Sequence, residues 1–223
     1  MSTGTGAYTL QEASRYSGVG ATFISRWLFG KNRLWEPQLA DTGWKGVGFH
    51  DLLELKIVNE FRQKGVSLQL IRQALNSARE LYGHTHPFLN RRFATDGKRI
   101  FAEAESLIKV REPLIDLAAR QYVLDEVIRP SLHEGFVFDG NSIVKWHPDT
   151  RKFSSVVLDP FRSFGKPIVE SVGIKTSILY NAVAVEKDKM LVSRLFDVPV
   201  AAVTAAVRYE KDLDSRLVYD LYV

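Results

Sequence analysis

No cysteine occurs among the 223 residues, and that absence removes disulfide frameworks, thiolate zinc sites and thiol nucleophiles together. A chain without thiols fits a reducing compartment. No apolar run approaches the roughly 20 residues a membrane-spanning helix needs. The opening Met-Ser-Thr-Gly-Thr-Gly-Ala has neither the positive charge nor the apolar core of a secretory leader. A soluble, cytoplasmic protein is therefore expected. Also missing are a nucleophile motif, a phosphate loop, a metal triad and a dinucleotide fingerprint. Gly18-x-Gly20 runs into Ala21, with no third glycine. His50, His84, His86, His133 and His147 are scattered, and no further ligand is arranged around His84-x-His86, so both read as loop residues. Neither enzyme nor cofactor is expected.

What is present suits one large or two small globular domains, with 45% hydrophobic residues. The net charge is +4, and its distribution is uneven. Residues 1–110 hold 15 Lys and Arg against 10 Asp and Glu, whereas residues 111–223 hold 15 against 16. A basic half raises the prospect of phosphate contacts.

That half opens on Thr9 to Gly30, which reads as a helix-turn-helix. Thr9 and Glu12 have the spacing of a capping box, and Leu10 and Ala13 lie on one face of the short helix that follows. Ser17-Gly18-Val19-Gly20 supplies a turn. A second helix over Ala21 to Phe29 would bury Ile24, Trp27 and Leu28 and present Thr22, Ser25 and Arg26 on another face. Such a face suits a recognition helix, since Arg grips a guanine edge with two bonds and hydroxyls reach phosphates or bases. The same residues also suit a capped helical hairpin in any small α-domain.

The stretch from Lys31 to Gly48 lacks helical period and reads as a loop or small hairpin. As a wing it would lay Lys31, Arg33 and Lys45 along phosphates; otherwise it is a solvated connection. Phe49-His50-Asp51 then opens a helix with Leu52, Leu55, Val58 and Phe61 in register, widened by Leu53 and Ile57, and stopped at Gly65. Ser67 caps the next helix, whose buried face is Leu68, Ile71, Ala74, Leu75, Ala78 and Leu81.

Helix-turn-helix, wing, then a helix pair joined through Lys64-Gly65-Val66-Ser67-Leu68-Gln69-Leu70-Ile71-Arg72-Gln73-Ala74-Leu75, resembles the DNA-binding domain of MerR-type regulators over about residues 8 to 82. Arg26-Trp27-Leu28-Phe29 stands where that family has an Arg-Tyr-Tyr-like run, and Gly48-Phe49 where it has Arg-x-Tyr.

Further on, Arg92 to Phe101 reads as a hairpin turning at Asp96-Gly97, with Phe93 opposite Ile100 and a basic rim of Arg91, Arg92, Lys98 and Arg99. A helix over Pro113 to Leu132 is a candidate dimer element. Gly135 to Phe138, Ile143 to His147 and Lys152 to Leu158 alternate as a three-stranded meander. In the last segment Thr176 caps a helix to about Val185, Glu186 to Phe196 reads as another, and Asp197-Val198-Pro199 starts a third carrying Val200, Val203 and Val207. The three make a helix-turn-helix-like bundle. Leu158-Asp159-Pro160, Gly165-Lys166-Pro167-Ile168-Val169 and Val203-Thr204-Ala205-Ala206-Val207 resemble the small helical antitoxin domain of the DUF type over about residues 156 to 212. Ser171-Val172-Gly173 replaces its usual Gly-Thr-Arg. The apolar tail, with Leu217, Val218, Leu221 and Tyr222, suits core, dimer or partner packing.

The expected fold is α+β and mainly α. Its parts are a MerR-like winged helix-turn-helix over 1–106, a linking helix and meander over 107–155, and a helical antitoxin-type domain with tail over 156–223. Together the resemblances imply the antitoxin of a type II toxin-antitoxin pair. It would be a homodimer that represses its own operon on double-stranded DNA and neutralises a toxin, for this architecture usually a PIN-domain ribonuclease. DNA would meet Thr22, Ser25, Arg26, Lys31, Arg33 and Lys45. The toxin would meet Arg216, Tyr219 and Tyr222, an Arg fork being suited to carboxylates. An effector-responsive regulator without a toxin, and a protein-binding adaptor, are the alternatives.

Overall fold

A computed structural model describes residues 4–108 and 130–220, apart from the side chains of 130, 131 and 216–220. The described part is a mixed α+β fold, mainly helical, with two small antiparallel strand pairs and a C-terminal helical bundle. No single helix among the described residues is long and apolar enough to cross a membrane.

Helix α1 (Leu10–Ser17) starts at the expected capping box: the Thr9 hydroxyl accepts from the Glu12 amide, and Glu12 accepts from the Thr9 amide at 2.9 Å. Gly18 ends it in the left-handed region, at φ 73°, where a side chain would be strained. After that short turn comes α2 (Ala21–Phe29). Helix α3 (Phe49–Gln63) buries Phe49, Leu52, Leu53, Leu55, Ile57, Val58 and Phe61, so it is covered on nearly every side and forms the axis of the first core. Ser67 accepts from the Leu70 amide and opens α4 (Leu68–Tyr82), which buries Ile71, Ala74, Leu75 and Ala78 and half-buries Leu68, whereas Leu81, expected on the same face, is exposed in the last turn.

The hairpin expected at Arg92 to Phe101 is instead a helix, α5 (Phe93–Leu107). Phe93, Gly97, Ile100, Phe101 and Ala104 are buried along one helical stripe. Phe93 stacks on Phe88 with centroids 4.4 Å apart, and Phe101 meets Phe61 at 4.8 Å. Each such ring contributes about 1.5–3 kcal/mol on burial, more than an Asp-Gly turn preference can offset. Asp96 also sits in the first turn, where the helix dipole favours an anion. Of the basic rim, Arg92 pairs with Asp96 at 3.6 Å and Arg99 with Glu103 at 3.3 Å.

The helix expected over 113–132 lies, up to residue 129, outside the described residues; Pro130–His133 is a 3-10 turn. Strand β1 (Phe136–Asp139) pairs antiparallel with β2 (Ser142–Trp146), with a bulge between Val137 and Phe138. The third strand of the expected meander is displaced. Asp149 accepts from the amides of Arg151 and Lys152 and folds that stretch into a turn. What remains is β3 (Val156–Val157), which pairs with β4 (Ile168–Val169), while the next residue, Leu158, bridges to Trp146 of β2. Phe136, Ile143, Trp146 and Leu158 join the first core.

Helices α6 (Thr176–Glu186), α7 (Lys189–Leu195) and α8 (Val200–Asp220) form the bundle. Leu179, Val192, Val198, Ala202, Val203 and Ala206 fill it. Thr176 is the first helical residue and no cap, because its hydroxyl is turned inward to the Pro167 carbonyl and to Glu210. The start of the apolar tail continues α8 without a break to Asp220. A third cluster, Phe153, Val156, Tyr209 and Leu213 with Tyr16, joins the bundle to α1.

Candidate nucleic-acid interface

Helix α2 divides as its sequence requires. Ile24, Trp27 and Leu28 are buried and fix the helix against the core, while Thr22, Ser25 and Arg26 stand together on the exposed side. That side also carries Phe23, 52% exposed, which sequence reasoning missed. Its ring lies 6.1 Å from that of Trp27, and the Arg26 guanidinium sits 5.7 Å above it. The available signal was spacing: Phe23 stands next to the buried Ile24 stripe and three residues before Arg26.

After Gly30 the chain forms an extended loop with a 3-10 turn at Ala40–Thr42, closed by a single bridge between Val47 and Tyr8. Lys31 and Lys45 are exposed. Arg33 is exposed too but ion-paired with Glu36, so the structure does not present it as a third unpaired cation. The Arg72 and Arg79 side chains of α4 donate to the carbonyls of Asn32 and Leu34, at 2.9 and 3.3 Å, and brace the start of the loop.

Its middle hangs on Asp51. This fully buried carboxylate accepts from Trp35 Nε1 at 2.8 Å, His86 Nε2 at 2.7 Å and the amides of Gln38 and Gly48, both at 2.9 Å. Burial works against charge here, yet the His86 bond and the two amides outweigh it and hold the carboxyl below its ordinary range. One turn along α3, Glu54 is also buried; desolvation pushes its carboxyl well up, although Oε1 accepts from the Phe88 amide at 3.2 Å. Two carboxyl groups on one helix thus hold the loop on one side and the 84–90 segment on the other.

Between these parts lies a cleft of about 430 Å³, lined among others by Gln38, His50, His84, Asn90, Asn141 and Ile143. Burial lowers the pKa of His50, whose Nε2 lies 3.0 Å from the Ile143 carbonyl. Among the described residues no group of three or more His, Cys, Asp or Glu is placed to hold a metal ion.

The residues expected to face a toxin are not brought into view: Arg216 and Tyr219 fall in the last turns of α8, where side chains are outside the described set, and Tyr222 lies beyond it. The Gly165-Lys166-Pro167 segment has a visible task instead. Lys166 pairs with Glu12 at 2.5 Å, and the Tyr8 hydroxyl donates to the Gly165 carbonyl at 2.7 Å. From α8, Glu210 and Asp214 reach Arg15 at 2.9 and 2.6 Å. Nothing local in the sequence announces these contacts.

The exposed face of α2 can therefore offer a guanidinium, two hydroxyls and a phenyl ring, and the loop that follows it exposes Lys31 and Lys45. No protein-family model matches the chain. Over 190 residues it is 28% identical to VapB45 of Mycobacterium tuberculosis (strain ATCC 25618 / H37Rv), named a candidate antitoxin, with 76% of this chain and 79% of that protein covered. Among solved structures, its fold is similar to the X-ray crystal structure of RV2018 from Mycobacterium tuberculosis, at TM-score 0.66 and 21% identity, over 90% of this chain and 96% of that one.

Proposed function

We propose that the protein is a non-enzymatic antitoxin of a type II toxin-antitoxin pair, which binds its toxin and represses its own operon. The likeness to VapB45 carries this reading. Its match covers 76% of the chain, so the unmatched quarter is too short to contain either the helix-turn-helix half, 1–106, or the C-terminal part, 156–223.

In this reading residues 1–106 form a MerR-like DNA reader, 107–155 a link, and 156–223 the toxin-binding part. Helix α2 enters the major groove with Thr22, Ser25 and Arg26, while Lys31, Lys45 and Arg33 follow the backbone, Arg33 after leaving Glu36. A homodimer places two such helices on half-sites about 34 Å apart. The end of α8 and the residues after it, with Arg216, Tyr219 and Tyr222, meet the toxin, a PIN-type ribonuclease whose acidic metal-binding residues suit an Arg fork. The setting is the cytoplasm.

Co-expression with the adjacent gene and purification through one tag tests the partner; gel shifts on the operon's own promoter test the DNA. A stable complex and a salt-sensitive shift are expected. Failure to co-purify, with tight promoter binding and a response to a metabolite, would favour the second reading, an effector-responsive regulator. The cleft lined by His50, His84 and Asn141 supports that reading.

A further inference from the structure

One large apolar side chain in the N-terminal half of α2 faces outward. Phe23 is 52% exposed, whereas Ile24 and Leu28 are fully buried and Trp27 nearly so. A half-exposed phenyl gains little for the fold beyond its partial contact with Trp27, and serine or lysine would serve an exposed helix position as well. Its position is shared with Arg26, whose guanidinium lies over the ring at 5.7 Å. A cation over an aromatic face is attracted to it without using the guanidinium's five donors, so they stay free for an acceptor pair.

Resting on the reading of α2 as a recognition helix, we propose that Phe23 and Arg26 act as one unit that reads a thymine and a neighbouring guanine. In the major groove only thymine offers a C5-methyl group, which an apolar side chain such as Phe can cover, and guanine offers O6 and N7 together, which suit the Arg fork. Because the guanidinium lies over the ring, the two bases they read are adjacent. Thr22 and Ser25, on the same exposed side, are left for phosphates or flanking edges.

The test uses the full chain and duplexes that it selects from a random 30-base-pair pool. Each thymine is replaced in turn by deoxyuridine, which removes only the methyl group, and each guanine by 7-deazaguanine, which removes only the N7 acceptor. One thymine per half-site is expected at which deoxyuridine weakens binding about three- to fivefold, the worth of one buried methyl group. A guanine beside it should lose about tenfold with 7-deazaguanine. Phe23→Ala should bind the thymine and deoxyuridine duplexes alike, and Phe23→Leu should retain part of the preference. The inference is overturned if the wild-type chain tolerates deoxyuridine at every position, if Phe23→Ala keeps the discrimination, or if the sensitive thymine and guanine are not neighbours. Enrichment of no sequence from the pool would overturn the DNA reading itself, a failure distinct from the other three.

Discussion

The Tyr8 hydroxyl donates to the carbonyl of Gly165 at 2.7 Å across 157 positions of sequence, tying the lead-in of α1 to the lead-in of β4. The Ala7 amide reaches the Phe164 carbonyl at 3.0 Å beside it, and the Lys166–Glu12 pair follows. Together with Arg15 and its two carboxylates on α8, these contacts make α1 a shared support. It carries α2 on one side and the C-terminal bundle on the other, so a force on the bundle is felt by the helix behind the proposed DNA face.

Gly165 cannot be replaced without breaking that tie. Its φ is +78°, and a Cβ there would lie 2.4 Å from the Tyr8 hydroxyl oxygen. Gly165→Ala is expected to destabilise the protein by about 3 kcal/mol, combining left-handed strain with the clash. Tyr8→Phe keeps the ring and loses only the bond, at about 1 kcal/mol. Urea midpoints compare the two; an equal small loss from both would show that the glycine is dispensable.

Arg15 is the second tie. Its guanidinium meets Glu210, 3% exposed, and Asp214, about half exposed, and is itself one quarter exposed. Solvent screens the Asp214 bond, so the value of Arg15 lies in neutralising Glu210. Arg15→Ala should cost about 2 kcal/mol by leaving that carboxylate buried with only Thr176 as partner. Adding Glu210→Gln should return part of the loss. A double mutant that loses the full sum of both single changes would mean that the two residues act independently.

Local chemistry explains what could be read from the sequence. Thr9 with Glu12 and Ser67 with Leu70 bond within one helical turn, so residue type and spacing reveal them. The face of α2 was legible for the same reason, with Ile24, Trp27 and Leu28 buried and Thr22, Ser25 and Arg26 exposed. Asp96-Gly97 misled because its turn preference is local while the burial of Phe93 and Phe101 against Phe61 and Phe88 is not. The displaced third strand has a similar origin, since Val156 and Val157 find their partner in the Gly-Lys-Pro segment that follows them. Asp51, the anchor of the loop, has the sequence signature of an ordinary helix-opening acid, because Trp35, Gln38 and His86 converge on it only through the fold.

Glu54 makes stability depend on pH. In the unfolded chain it ionises near 4.5, while in the fold desolvation raises its pKa well above that. The folded state therefore binds the extra proton, and the contribution is complete below the unfolded pKa and declines as pH rises toward the folded one, on the order of 1 kcal/mol per pH unit. Glu54→Gln, which mimics the protonated form, should flatten this fall and raise stability at pH 7. Urea melts of both proteins at pH 5, 6 and 7 would show it; parallel pH curves would place the dependence elsewhere.

If the protein reads operator DNA as proposed, three basic residues of α2 and the loop after it should behave differently there, because the structure leaves them in different states. Arg26, exposed with its guanidinium over Phe23, is the proposed base reader, so Arg26→Ala should cost about 1–3 kcal/mol and relax preference at one position, with binding to the proposed toxin unchanged. Lys45 lies in the loop, and Lys45→Ala should weaken all sequences alike and reduce the salt slope by about one. Arg33 must first leave Glu36, which offsets its gain from a phosphate, so Arg33→Ala should change affinity least and Glu36→Gln should raise it. Titrations of the three alanine variants from about 50 to 200 mM salt separate these outcomes. If Arg33→Ala proves as damaging as Arg26→Ala, the Glu36 pair does not restrain it and the loop approaches DNA more closely than its resting contacts suggest.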